Sequence, residues 1–419
     1  MIPVKDTYIA ACSLTPFIGK GHPDFIWKKH PDFGTKENLD LEGYLKLALT
    51  DLFGQGFDPK LVTRGYVGNF AGELFNKQGH LGALVPRVMP ELAGVGVGRT
   101  EAACASGGIA LMSAAEAICA GHDVVLVAGA ECQTTVSARE GGEYLARAAH
   151  FQDERPIDDF TFPALFARRI KAYHEKYGLP LSDLAHFTMK AMENARKNPL
   201  AHMKANKWTF EAAAEGGDHN PQFLGNQELK DYLKVSDCSQ VTDGGAALLL
   251  CSEEGLKKLG VDKSKAVKLR SYHLATNALG QTEDLTRMDT AGLAFCKTFN
   301  DGNVKVDDIN VAEVHDCFTI AELLMMEAMG LEEPGKGVEA VKSGKTKLDG
   351  SLPVNTGGGL VGFGHPVGAT GVKQAAEIYR QMKGLCGDYQ IKSQPSLGVM
   401  ANMGGDDRTC FTALFENMG

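Results

Sequence analysis

The chain lacks the features that mark membrane, secreted or peroxisomal proteins. No apolar run is long enough to span a bilayer, and residues 1–6 do not begin a signal peptide. Residues 416–419 differ from the Ser-Lys-Leu signal that directs proteins to peroxisomes. These absences predict a protein without a membrane span and favour the cytoplasm.

The chain also has no block of Lys and Arg and no Cys-x-x-Cys pair. Its formal net charge of -9 argues against nucleic acid as the main partner, because such a partner requires clustered positive charge. The ten cysteines lack the spacing of zinc or redox motifs, so we predict no metal site. For most of them the simplest interpretation is a buried, small apolar side chain in a reducing compartment.

What the chain does contain is an alternation of strand and helix patterns. Short apolar runs, such as residues 124–128 and 248–250, are typical of buried strands, and residues 41–52 and 109–120 have helical periodicity. A length of 419 residues exceeds what one hydrophobic core usually holds. We therefore predict an α/β fold with more than one structural unit and with helices on both faces of its sheets.

A weak internal repeat indicates that the fold consists of two similar halves. Residues 6–11 and 266–271 each open one half as a strand, and residues 241–248 resemble residues 403–409 and the strand that follows them. Self-similarity of this kind indicates a duplicated unit. We expect the halves to pack face to face, so that equivalent loops meet at a shared cleft.

One segment differs from both halves. Residues 135–235 are rich in charge and in helical periodicity, and Pro163 suits the first position of one of their helices. We interpret the segment as an inserted loop domain that covers the cleft. The predicted division is an N-terminal half of residues 1–134 and 236–262, this inserted domain, and a C-terminal half of residues 263–419.

Cys104 lies among small residues, within 101–108, just before an Ala-rich helix. We expect it in the first turn of that helix, where unpaired N–H groups and the helix dipole favour a thiolate. The alternative is that the small residues only let the helix pack closely on a sheet. This motif alone leaves both interpretations open.

Two histidines in the second half are further candidates for catalytic residues. His365 follows residues 357–363, which are too glycine-rich for a regular element and predict a loop that presents the imidazole as a general base. His315 begins a His-Asp-Cys-Phe sequence at the carboxyl end of a predicted strand, the usual place for an α/β active site. A buried structural histidine is the alternative for His315.

In this order and spacing, the three motifs resemble those of the thiolase superfamily, and His-Asp-Cys-Phe resembles its sterol-carrier-protein-2 type. The resemblance spans essentially the whole chain. It implies a five-layered αβαβα fold, a homodimer or a dimer of dimers, and ping-pong transfer of an acyl group between a cysteine and coenzyme A. It also implies CoA and acyl-CoA as substrates, with no prosthetic group and no metal.

The resemblance assigns a role to each motif residue. Cys104 is the acyl-accepting nucleophile, His365 activates it, and His315 helps to stabilise the thioester oxyanion. Cys317 is the second acid/base, which moves the proton at the α-carbon of the acetyl group.

The chain departs from the pattern of many thiolases near its C-terminus. Their second cysteine stands in a Cys-x-Gly motif, where this chain has Asn402, so Cys317 is expected to supply that thiol instead. The glycine remains as Gly404, whose backbone N–H can pair with that of Cys104 as an oxyanion hole. Three cations on one predicted helix are expected to hold the phosphates of CoA, unless they form only a solvated helix face: Arg168, Arg169 and Lys171.

The predicted function is that of a thiolase of the acetyl-CoA acetyltransferase type, which cleaves a 3-oxoacyl-CoA with CoA or runs the reverse Claisen condensation. One alternative is a related carbon–carbon lyase or ketosynthase. Another is a subunit of a complex with a small OB-fold/zinc-ribbon partner, as in some thiolases of this branch. A scaffold that has lost catalysis is disfavoured because all four candidate residues are present. Phe160, Phe162 and Phe166 suit either an apolar substrate pocket or a core.

Overall fold

The structure is a computed structural model that describes residues 1–419. Its strands are β1 (Thr7–Leu14), β2 (Ile18–Gly19), β3 (Arg64–Gly68), β4 (Gly96–Thr100), β5 (Val124–Glu131), β6 (Thr242–Cys251), β7 (Val267–Thr276), β8 (Val311–Glu313), β9 (Leu397–Gly404) and β10 (Thr409–Asn417). Its helices are α1 (Leu41–Phe53), α2 (Gly72–Phe75), α3 (Leu84–Val88), α4 (Ser106–Cys119), α5 (Ala138–Leu145), α6 (Phe151–Glu154), α7 (Thr161–Tyr177), α8 (Ala185–Lys197), α9 (Phe210–Ala214), α10 (Glu253–Leu259), α11 (Asp289–Gly302), α12 (Thr319–Ala328), α13 (Gly337–Lys342), α14 (Gly359–Gly362) and α15 (Thr370–Met382).

The strands form one large mixed sheet with the order β4-β3-β5-β6-β1-β7-β10-β9-β8, and β2 pairs with β6. From the centre outward, the order is β1, β6, β5, β3 on one side and β7, β10, β9, β8 on the other. β1 and β7 pair antiparallel at the centre, and β3 and β8 each pair parallel with their inner neighbours. The two sides therefore repeat one order, which confirms the predicted α/β fold of two similar halves.

Helices α4 and α15 lie between the two sides of the sheet. α4 packs on β3 and β5, α15 packs on β8 and β9, and the two helices contact each other. They approach closely because glycines meet at their N-termini: a Cβ on Gly107 would lie 2.8 Å from the backbone nitrogen of Gly371. α1 covers the outer face of the first side and α11 that of the second. The layers thus alternate helix and sheet, as the resemblance implied.

Residues 135–235 carry helices α5 to α9 and pack over the second half. In this packing, Phe166 stacks on Phe318 with ring centroids 4.3 Å apart. α7 begins at Thr161, so Pro163 is its third residue and not its first; it still lies in the first turn, where no N–H partner is needed. No helix of the structure has both the length and the apolar composition that crossing a membrane requires.

The glycine-rich run before His365 differs in one respect from the prediction of a pure loop. It contains the short helix α14, which Gly358 and Gly359 precede and open with φ angles of 114° and 62°. Side chains with a Cβ disfavour these angles, so glycine is needed for the chain to turn here.

Candidate active site

Cys104 sits in a tight turn between β4 and α4. The first helical residue is Ser106, so Cys104 lies two residues before the helix and not in its first turn as predicted. Ala103 adopts a left-handed φ of 50°, which is rare for a residue with a Cβ and costs on the order of 1 kcal/mol. The Ser106 hydroxyl fixes the turn by donating to the carbonyl of Ala103 and accepting from the N–H of Ala102.

The hydrogen bonds of His365 define which of its ring nitrogens carries the proton. Its side chain is buried, and Nδ1 lies 2.7 Å from the Thr370 hydroxyl. That hydroxyl donates its own hydrogen to the carbonyl of Pro366 at 3.0 Å, so it accepts from Nδ1–H. The proton therefore resides on Nδ1, and Nε2 keeps a lone pair. This is the tautomer that a general base requires.

His315 is held in the opposite tautomer by the side chain of Asn402. The Asn402 oxygen accepts from the N–H of Gly108 at 3.0 Å, which fixes the orientation of its amide. Its nitrogen then donates to the carbonyl of Cys104 at 2.9 Å and to His315 Nδ1 at 3.4 Å. Because Nδ1 accepts, the neutral ring carries its proton on Nε2 and can donate it in a hydrogen bond.

The two rings and the thiol form one compact cluster. The Cys104 sulfur and one ring nitrogen from each histidine lie within 4.8 Å of one another, and the ring centroids are 5.1 Å apart at 85°. This sulfur and nitrogen set could also bind a transition metal. The prediction of no metal stays a prediction.

Desolvation disfavours the charged form of all three groups, of which the two histidines are buried and Cys104 is half-buried. It raises the pKa of the Cys104 thiol to about 12 and lowers the pKa of His365 to about 3. It also lowers the pKa of His315 well below its usual range, and the neighbouring His365 adds to this effect. A neutral thiol beside a neutral imidazole can transfer its proton only when a substrate accepts the developing sulfur charge.

Cys317 lines the same cavity, whose volume is about 350 Å³. It is buried, and the loss of solvent raises the pKa of its thiol well above the usual range, with a further contribution from Cys104. Such a thiol keeps its proton until a strong base, such as a carbanion, forms beside it. Cys104 and His365 also line this cavity, so three of the four predicted catalytic residues lie around the same space.

Two backbone N–H groups act on the Cys104 sulfur: that of Cys104 itself and that of Gly405, one residue beyond the predicted Gly404. Gly405 has a φ of 68° and precedes Asp406, which forms a buried ion pair with Arg169. This amide lowers the pKa of the thiol and so opposes the effect of burial. Its position makes Gly405 the structural candidate for an oxyanion donor.

The three cations predicted to hold CoA do not share one environment. Arg169 is fully buried, and its guanidinium binds Asp406 and two backbone carbonyls, so it cannot contact a phosphate. That prediction was wrong, because helical spacing alone does not reveal which face packs inward. Arg168 is half-buried beside Glu154, and Lys171 is paired with Glu175. Only these two remain able to reach a ligand.

Three residues that orient the cluster carried no role in the sequence analysis. Thr370 and Asn402 set the two tautomers. Glu131, a fully buried carboxylate, accepts from the N–H groups of Phe70, Ala71 and Gly368 and so ties the end of β3 to the His365 loop. Thr370 lies inside the His365 motif and Asn402 stands in the family's cysteine position, so both had a sequence signal. Glu131 had none beyond its place at the end of a buried strand.

Comparison with known proteins decides the family. The acetyl-CoA acetyltransferase of Methanothermobacter thermautotrophicus is 35% identical over 352 residues, which cover 84% of this chain and 88% of that one. The chain belongs to the thiolase family. Residues 271–417 of this thiolase also match the family described as "Thiolase C-terminal domain-like". The protein is therefore an enzyme of the acyltransferase class.

This thiolase is also similar to a sterol carrier protein and to a solved aldolase structure. Human sterol carrier protein 2 is 30% identical over 247 residues, covering 57% of this thiolase and 43% of that protein. The solved Ltp2-ChsH2(DUF35) aldolase superposes with a TM-score of 0.79 over 100% of this thiolase and 99% of that chain, at 18% identity. At this identity the superposition shows that the two share a fold.

Proposed function

We propose that this thiolase cleaves a 3-oxoacyl-CoA with CoA, or runs the reverse condensation, through an acyl group on Cys104. The observation that carries the proposal is the pair of opposite tautomers beside the thiol. A base at His365 Nε2 and a hydrogen-bond donor at His315 Nε2 are the two groups that attack on a thioester or ketone carbonyl requires.

In the cleavage direction, the Cys104 proton moves to His365 as the sulfur attacks the 3-oxo carbon. The Nε2–H of His315 stabilises the oxyanion, and the bond between C2 and C3 then breaks. The electron pair left on C2 takes a proton from Cys317, which releases acetyl-CoA and leaves an acyl group on Cys104. This assignment gives each buried, neutral group one proton to donate or accept.

The second half of the ping-pong cycle restores every proton. A CoA thiol gives its proton to the Cys317 thiolate and attacks the acyl-cysteine. The Cys104 sulfur leaves and takes back the proton held by His365. For the phosphates of CoA we propose Arg168 and Lys171, because both lie on α7, whose Phe162 and Pro163 line the cavity, and keep part of their side chains exposed. The enzyme holds no prosthetic group in this scheme.

The first test is to locate the acyl group. Incubation with acetyl-CoA and peptide mass spectrometry should find the acetyl group on the peptide that contains Cys104, and Cys104→Ala should abolish both the label and turnover. Full turnover by Cys104→Ser would refute the assignment. A labelled peptide that does not contain Cys104 would refute it as well.

The second test separates the two thiols. Cys317→Ala should retain acyl exchange between CoA thioesters but lose 3-oxoacyl-CoA cleavage by ~10²–10⁴-fold, the range of general acid–base effects. Cleavage at the wild-type rate would show that another group protonates C2. Loss of both activities in a folded variant would show that Cys317 is needed for the architecture of the site.

We also propose that the enzyme is a cytoplasmic homodimer assembled through β4. This strand is at the end of the sheet order, so the backbone groups on its outer side have no strand partner. All ten cysteines are unpaired, which is typical of a reducing compartment. Light scattering after gel filtration should give twice the 44.9 kDa mass of the chain, and a proline at Val97 should give a monomer.

A subunit role in a larger complex is the second candidate. It is supported by the fold shared with the Ltp2-ChsH2(DUF35) aldolase, whose name includes a second component. We further propose that residues 135–235 act as the covering domain between an N-terminal half (1–134 and 236–262) and a C-terminal half (263–419). Affinity purification of the tagged enzyme from its own cells, followed by measurement of activity with and without any untagged small protein that co-purifies, tests the subunit role.

A further inference from the structure

Glu131 is a buried carboxylate to which the proposed reaction assigns no step. It is the last residue of β5, and none of its surface is exposed. Its Oε1 accepts from the Asn69 amide at 2.9 Å and from the N–H of Ala71 at 3.1 Å. Its Oε2 accepts from the N–H groups of Phe70 at 2.8 Å and Gly368 at 3.0 Å. Each oxygen thus faces two donors, so the ionised form fits this environment and a proton on either oxygen would meet an N–H group.

The donors around Glu131 come from both sides of the sheet. Residues 69–71 follow β3, on the side from which the Cys104 turn starts. Gly368 lies in the turn between His365 and α15, the helix that packs on β8 and β9 of the other side. One side chain therefore connects the two sides of the sheet.

Residues 69–71 are in turn bound to the strand that leads to Cys104. An N–H of this segment donates to the carbonyl of Thr100, the last residue of β4, at 3.3 Å. The Arg99 guanidinium donates to two carbonyls of the same segment. The Glu131 carboxylate is thus connected, through one short segment, to the strand end from which the Cys104 turn begins.

On the other side, Glu131 fixes a peptide that is close to His365. Gly368 is three residues beyond His365, and its N–H is the group that Glu131 binds. Its carbonyl oxygen is packed so closely that a Cβ on any of three glycines would lie no more than 3.0 Å from it: Gly68, Gly107 and Gly129. With both of its polar groups enclosed, this peptide can shift only if the contact with Glu131 changes, and a shift would move the imidazole relative to the thiol.

Taken with the proposed acyl transfer through Cys104, on which the following rests, we infer that Glu131 is the positioning residue that holds His365 at the distance from Cys104 that proton transfer requires. It does not line the cavity, so it acts through the backbone of Gly368 and not on the substrate. The effect can be large, because a displacement of ~1 Å between reacting groups can slow a reaction ~10²-fold.

Two substitutions disturb this carboxylate in different ways. Glu131→Gln keeps the shape of the side chain, but the amide nitrogen must face backbone N–H groups, whichever way the amide is turned. Glu131→Asp keeps the charge but is one methylene shorter, so its oxygens cannot reach both sides. Either change should release the turn that carries His365.

Glu327→Gln is the matched control. Glu327 is a carboxylate in the last turn of α12 that accepts from the N–H groups of Gly335 and Gly337, and it does not line the cavity. Its substitution is chemically identical to Glu131→Gln and also leaves backbone N–H groups without their acceptor. Melting temperatures should therefore fall in both variants.

The experiment measures single-turnover acylation of Cys104 by acetyl-CoA, followed by mass spectrometry, over a range of acetyl-CoA concentrations. Glu131→Gln and Glu131→Asp should each lower the rate constant at saturation by ~10- to 100-fold. The acetyl-CoA concentration that gives half the maximal rate should change by less than about threefold, since the substrate contacts are intact. Glu327→Gln should acylate at the wild-type rate.

The outcomes separate this inference from the reaction on which it rests. A wild-type acylation rate in folded Glu131→Gln would overturn the positioning role and leave the thiolase reaction intact. An equal loss in Glu327→Gln, or a loss that appears only as a higher half-saturating concentration, would overturn it as well. If Glu131→Gln does not fold, Glu131→Asp decides by the same criteria, and if neither folds, Glu131 serves the fold alone and the inference is wrong. Absence of an acyl group on Cys104 of the wild type would overturn the proposed function itself.

Discussion

Replacing Thr370 with valine is expected to slow acylation of Cys104 while leaving the substrate pocket intact. The two side chains have nearly the same shape, but valine cannot accept the hydrogen bond from His365 Nδ1–H, which spans 2.7 Å. A buried N–H without a partner costs ~1–3 kcal/mol. The ring can avoid that cost by moving its proton to Nε2, the nitrogen that must act as the base. At 1.36 kcal/mol per tenfold change in rate, the expected loss is ~5- to 150-fold.

Single-turnover acylation followed by mass spectrometry measures this step directly, and steady-state kinetics give KM. KM should change little because Thr370 does not line the cavity. Thr370→Ser is the matched control: its hydroxyl keeps both the acceptor for His365 and the donor to Pro366, so it should acylate at close to the wild-type rate. If Thr370→Val and Thr370→Ser acylate Cys104 equally fast, the tautomer of His365 is not set by this hydroxyl.

Three further predictions concern groups that support the cluster. Asn402→Asp removes the donor that faces His315 and should lower kcat by ~10- to 100-fold in steady-state assays; an unchanged kcat would exclude the tautomer argument. Arg169→Met leaves the buried Asp406 with only the more distant Arg168 guanidinium, 3.7 Å away, and should lower the free energy of unfolding by up to ~3–5 kcal/mol, which urea titration can measure. Burial lowers the pKa of His202 to about 4, below the unfolded value of ~6.5. Between these two pH values the unfolded chain binds a proton at His202 and the folded chain does not. The free energy of unfolding is therefore highest above pH 6.5 and falls toward pH 4 by ~1.4 kcal/mol per pH unit on account of this residue. His202→Gln should flatten this slope in unfolding measured between pH 4.5 and 7, and an identical slope would contradict the assignment.

The strands were the most predictable part of the fold. Residues 124–128 and 248–250 lie in β5 and β6, where every residue is buried, so apolar composition marks them directly. The start of α4 was less predictable. The left-handed Ala103 belongs to the tight turn that precedes α4 and holds Cys104, and an alanine gives no sequence sign of that conformation. The sequence also did not reveal which face of α7 is buried, because Asp406, the partner of Arg169, lies far along the chain near the C-terminus.

In the candidate site, the sequence could identify the residues but not which of their atoms carry protons. Sequence motifs and their resemblance to a family were enough to name Cys104, His315 and His365. Their protonation was not readable, because it depends on which atom faces each ring nitrogen in space. For His315 that atom belongs to Asn402, which the sequence analysis had noted only as the replacement of a cysteine. Hydrogen-bond direction is a property of the folded arrangement.

The central place of β1 in the sheet affects the order in which the chain can fold during synthesis. β1 is made among the first residues, yet its neighbours are β6 and β7, which end at Cys251 and Thr276. At a ribosomal rate of ~5–20 residues per second, β1 has no complete set of partners for tens of seconds. Both of its edges stay open to wrong pairing with other nascent chains for that time. A fragment that ends before β6 contains Cys104 and its helix, but we expect it to aggregate rather than fold as an independent half.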